Sequence, residues 1–141
     1  MSSNLDAAVD RLLSRAKFLG AEAADAACLD RKSLSVSVRL GQLESVESEE
    51  SRSAGLRVLI GKKQAGASTS DFSLAALDAL AERVVAMAKA AAEDPWCGLP
   101  EAGELAKDQV DLELWDDTEA DIADLETRAL ESEAAALDLA G

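Results

Sequence analysis

Apolar side chains return every three or four positions near the start of the chain. Leu5, Ala8, Val9, Leu12, Ala16 and Leu19 fall on one stripe. That spacing predicts an amphipathic helix from about Asn4 to Leu19. Asn4 is placed as its N-cap, Asp6 favours the helix dipole, and Gly20 can take the positive φ that ends a helix. The period then changes. Ala24 to Asp30 is a modest strand candidate, and Leu34, Val36, Val38 and Leu40 alternate with Ser33, Ser35, Ser37 and Arg39. Period two over this run is the strongest strand pattern in the chain. Its second face is polar but almost uncharged.

Gly41-Gln42 suits a tight reversal, with Leu43 to Ser48 returning as the next strand. Leu43 and Val46 have opposite parity, which predicts a bulge or a shifted register. Glu47 to Ser51 is polar enough to read as a loop or an exposed strand end. Leu56, Val58 and Ile60 alternate again, Gly61-Lys62-Lys63 turns, and Gln64 to Thr69 returns with small residues. A second helix starts near Ser70 to Ser73, its stripe made by Leu77, Leu80, Ala81, Val84, Ala88 and Ala91 with Met87 at the edge. Asp94-Pro95 stops it. Val110, Leu112 and Leu114 alternate with acids as a short edge segment. Thr118 and Asp121 form a weakened capping box for a third helix reaching about Leu139. Helix, consecutive strands, helix is an α+β order: an antiparallel sheet of about five strands with two helices on one face, plus a C-terminal acidic helix.

Charge divides the chain. Residues 1–70 carry 9 acids and 10 bases, whereas residues 71–141 carry 19 acids and 4 bases, for a total of -14. The break falls near Pro95, which gives a domain over 1–95, an acidic linker over 96–117 and a helix over 118–141. This balance argues against nucleic-acid binding and against anionic membranes, since both need basic surfaces. The start of the chain has no secretory pattern, and no run approaches about 18 apolar residues. These features predict a cytoplasmic protein with Cys28 and Cys97 as reduced thiols.

Candidate chemistry is sparse. There is no His among the 141 residues, so a His-based triad, a His general base and a His-ligated zinc are excluded within this chain. Ser14-Arg15-Ala16-Lys17 matches SxxK but sits mid-helix without its companion motifs. Gly55 to Lys63 has the wrong spacing for a phosphate loop, and Lys63 stands where Ser or Thr is needed. Asp116 to Asp121 lacks the glycine and one ligand of a calcium loop. Trp96, in a Pro/Gly loop, and Trp115, in an acidic one, are either core plugs or interface anchors. Ser33, Ser35, Ser37 and Arg39 with Trp96 form the candidate interaction surface, and no group is catalytic or metal-binding.

Longer strings carry a resemblance. Gly20-Ala21-Glu22, Leu34 to Glu47, Gly55-Leu56-Arg57-Val58, Gly61 to Asp71, Ala86-Met87-Ala88-Lys89 and Glu93-Asp94-Pro95-Trp96-Cys97-Gly98-Leu99 resemble the N-terminal domain of the TldD/PmbA family. The polar hairpin and Asp111-Leu112-Glu113-Leu114-Trp115 lie nearer its PmbA (TldE) branch. The resemblance spans about residues 5–139. It implies a two-layer α/β sandwich in a cytoplasmic metallopeptidase family once described as modulators of DNA gyrase. It also implies pairing with a TldD-like subunit and an extended or unfolded peptide as substrate. The family's metal, expected to be zinc, lies on a HExxxH-type helix of that partner, so no cofactor is expected in this chain. The chain is then expected to be the N-terminal domain of a longer PmbA/TldE-like subunit, its last helix leading toward a central or C-terminal domain. The alternative is a stand-alone acidic module that binds a basic protein.

Overall fold

The computed structural model of the chain describes residues 2–101, 103–108, 110–114 and 116–140. Its elements are helix α1 (Ser2–Phe18), strands β1 (Ala23–Arg39), β2 (Gln42–Ile60) and β3 (Lys63–Thr69), and helices α2 (Leu74–Ala90) and α3 (Ile122–Ala140). The strands form one antiparallel sheet in the order β1-β2-β3. The α+β class with a small antiparallel sheet flanked by helices is therefore present. Among the described residues no helix is long and apolar enough to cross a membrane.

The expected five strands are three, because two expected breaks do not occur. Ala24, Ala26, Cys28, Leu34, Val36 and Val38 share one parity, and all are half-buried along a single β1. Asp30 and Lys32 continue the same series without interrupting it. Their charges are met on β2, where Arg52 Nε lies 3.1 Å from Asp30 and Glu50 lies 3.8 Å from Lys32 Nζ. The polar run Glu47 to Ser51 is likewise strand, since ladder hydrogen bonds are made by the backbone whatever the side chains. Leu43 and Val46 are both exposed and enter no core.

Turn chemistry fixes the hairpins. Leu40 and Gly41 both have positive φ, 54° and 71°, so the two-residue turn is centred one position earlier than Gly41-Gln42 and has the sign pattern of type I′. At Gly61-Lys62 only the glycine is positive, φ 57°, as in type II′. From there β3 returns with Ile60 opposite Lys63, Val58 opposite Ala65 and Leu56 opposite Ala67.

The chain divides into two compact units, residues 1–30 with 51–107 and residues 31–50 with 108–141. The first holds the core. Ala8, Leu12 and Ala16 of α1, Ala54, Leu56 and Val58 of β2, and Leu77, Leu80, Ala81, Val84, Val85 and Ala88 of α2 form one buried cluster. Asn4 lies inside α1 rather than capping it. The helix ends in a Schellman arrangement: Gly20 has φ 98°, its N–H donates to Lys17 O, and Ala21 N–H donates to Ala16 O. Ser73 caps α2, its Oγ accepting from Ala76 N at 3.3 Å. Above the apolar stripes, Arg11 donates to both carboxylate oxygens of Asp78, at 2.7 and 2.5 Å, and Arg15 reaches Glu82 at 2.5 Å.

The second unit is built differently. None of its described residues is buried. In α3, Leu125, Ala129, Leu130 and Glu133 are half-buried, whereas Ile122 and Leu137 are exposed. The helix begins after Asp121, whose carbonyl accepts Leu125 N–H, and Thr118 N–H instead donates to Asp116 Oδ1. Val110, Leu112 and Leu114 are exposed and form no strand, because apolar residues spaced among acids need a neighbouring strand to hold them.

Two outcomes follow from the core. Leu80 is fully buried, so Leu80→Ala is expected to cost about 2–5 kcal/mol in urea unfolding. The Arg11 guanidinium, through its hydrogen bonds, holds the Asp78 carboxyl below the usual carboxylate range. A folded value below the unfolded one, about 3.9, stabilises at pH above the unfolded value. That contribution is lost as pH falls through the folded value. Asp78→Asn is expected to flatten the acid limb of a Tm-against-pH curve while leaving its shape above pH about 6 unchanged.

Candidate interaction surface

Alternation along β1 places Ser33, Ser35, Ser37 and Arg39 on one exposed face, opposite half-buried Leu34, Val36 and Val38. Arg39 Nη1 lies 3.5 Å from Glu44 on the neighbouring strand, both side chains being largely exposed. A pair this solvated contributes little stability. The four residues thus make a polar, mostly neutral strip on one strand.

The strip ends at a strained turn. A leucine at positive φ costs roughly 1 kcal/mol or more. Its neighbours offset that. Leu40 N–H donates to Glu133 Oε1 and Gly41 N–H to Glu133 Oε2, each at 2.7 Å. Two successive backbone N–H groups make a small anion-binding concavity, and here a carboxylate from α3 fills it. Sequence reasoning missed Glu133. It lies 93 residues from Leu40 and is one acid in an acidic helix, so no local pattern could single it out.

Trp96 belongs to the other unit and is a separate feature. It is 92% exposed, on a loop whose backbone is fixed. Asp94 N–H donates to Lys62 O at 2.8 Å, and Asp94 Oδ1 accepts Trp96 N–H at 2.9 Å. Cys97 N–H donates to Asp94 O at 3.0 Å, and Lys62 Nζ donates to Cys97 O at the same distance. The buried Cys97 side chain is the plug of this loop, and the indole stands outside it. Trp115 lies outside the described residues.

Cys28 and Cys97 are free thiols, and burial pushes the Cys28 thiol up, away from the reactive thiolate. Among the described residues no three His, Cys, Asp or Glu side chains gather as a metal site. The acidic hollow of Asp111, Glu113, Leu114, Asp116 and Asp117 is wide open to solvent.

Residues 24–88, from the start of β1 through most of α2, match the family model described as PmbA/TldA metallopeptidase domain 1. Residues 24–88 are thus a first domain of the PmbA/TldD type. It is 38% identical over 104 residues to a metalloprotease PmbA homolog of Haemophilus influenzae, an alignment that covers 74% of this chain and 23% of that protein. The crystal structure of TldE from Thermococcus kodakarensis shares the fold, with a TM-score of 0.67 at 20% identity over 88% of this chain and 28% of that one. The chain therefore spans about a quarter of the length of these relatives. Within the matched PmbA/TldD domain lie Ser33, Ser35, Ser37 and Arg39, while Trp96 and Glu133 lie beyond it.

The carboxylate clamp is directly testable. Glu133→Ala is expected to raise amide hydrogen exchange at Leu40 and Gly41 and to cost about 1 kcal/mol. Glu133→Gln, with one acceptor oxygen in place of two, falls between the two proteins.

Proposed function

We propose that this chain is the N-terminal domain of a PmbA/TldE-like subunit of a TldD/PmbA-type metallopeptidase. Its role is architectural and peptide-guiding in the proteolysis of unfolded peptides, and the catalytic metal belongs to a TldD-like partner subunit. The observation that carries this reading is the match of residues 24–88 to the first domain of a metallopeptidase family in a chain with no His. A relative about three times as long, named as a metalloprotease PmbA homolog, supports a longer subunit. In this reading residues 1–95 are the domain proper and 96–117 an acidic linker. Residues 118–141 are a helix leading onward, and the complex works in the cytoplasm.

The surface fits such a role. The exposed Ser33, Ser35, Ser37 and Arg39 strip has hydroxyls that can face another protein surface with little desolvation of charge. Trp96, held outward by its loop, is an aromatic anchor of the kind that dominates interfaces.

The test places this domain in its full-length subunit, expressed with a TldD-like partner. Replacing Ser33, Ser35 and Ser37 together by Glu is expected to cut co-purification of the partner. The three sites are exposed, so stability is expected to change by only about 0.5 kcal/mol per site. Undiminished assembly and peptide turnover would rule the strip out. Salt-sensitive capture of a basic protein by this chain without any such subunit would instead favour the acidic binding module.

A further inference from the structure

The three strands do not guard their free edges alike. β1 carries Asp25, Asp30, Arg31, Lys32 and Arg39, and the part of β2 beyond its pairing with β3 carries Glu44, Glu47, Glu49, Glu50 and Arg52. Such charges are the usual device that stops an edge from pairing with another strand. β3 carries only Lys63 at its first position, and from Gln64 to Thr69 there is no charged residue. Gln64, Gly66 and Ser68 are exposed, while Ala65 and Ala67 rest against the core. Beyond the ladder to β2, none of the hydrogen bonds among the described residues involves the backbone of Gln64–Ser68.

The strand is also self-complementary. Turned about a twofold axis at Gly66, its sequence sets Ala65 opposite Ala67, Gln64 opposite Ser68, and Lys63 opposite Thr69. No like charges meet, an amide meets a hydroxyl, and the centre has no side chain to hold two backbones apart. A mixed partner strand would have to match this pattern by chance, whereas a second copy matches it by symmetry, residue against residue.

We propose that the outer edge of β3 pairs antiparallel with β3 of a second copy of this chain, joining two sheets across a twofold axis at Gly66. This contact is independent of the peptidase reading. Seven residues of edge bury less than the roughly 800 Å² per partner of a standard interface, so the dimer is concentration-dependent.

Sedimentation equilibrium of the 141-residue chain tests it with two exposed positions that face each other only in this register. The unaltered chain is expected to dimerise reversibly. Gln64→Lys with Ser68→Lys sets like charges opposite and is expected to leave monomer at the same concentrations. Gln64→Lys with Ser68→Glu sets Lys opposite Glu and is expected to restore the dimer. Matching circular dichroism and Tm show that both variants fold. A chain that stays monomeric at millimolar concentration overturns the proposal, as does a dimer that responds equally to both variants. A monomer whose Gln64–Ser68 amides are protected only by an added extended peptide also overturns it, and gives the edge to peptide instead.

Discussion

Burial of the apolar stripes of α1 and α2 against Ala54, Leu56 and Val58 is the constraint on which the rest of the first unit depends. All of the chain's fully buried described side chains lie in that unit. The small residues matter as much as the large ones. Ala8, Ala16, Ala81 and Ala88 let the helices approach closely enough for Leu12, Leu77, Leu80 and Val84 to be sealed from water. The Arg11–Asp78 and Arg15–Glu82 pairs form only because that packing has already brought the two helices together. Exposed as they are, they orient the helices more than they stabilise them.

No described residue of the second unit is buried, and the unit relies on backbone chemistry. Its hairpin persists through a polar stretch because the ladder satisfies backbone groups regardless of side chain. Its turn is strained at Leu40 and met by the Glu133 carboxylate. Exposed Val110, Leu112, Leu114 and Leu137 stand among acids there.

The same division runs through function. Among the described residues no three His, Cys, Asp or Glu side chains gather as a metal site, while a hydroxyl strip and a projecting indole present themselves to solvent.

Periodicity by itself determined much of this. The stripes Leu5 to Leu19 and Leu77 to Ala88, the Leu34 to Val38 alternation and the small-residue return over Gln64 to Thr69 all reflect local constraints, and each element exists in the structure. The absence of His and the exposed serine strip were equally legible. Tertiary structure decided what depends on distant partners. Five expected strands became three because the neighbour across the ladder, not the local polarity, determines whether Asp30 to Lys32 and Glu47 to Ser51 stay extended. The Asp94–Cys97 loop is held by Lys62, and the Leu40–Gly41 turn by Glu133. Such contacts have no sequence period, because they join residues that only folding brings near.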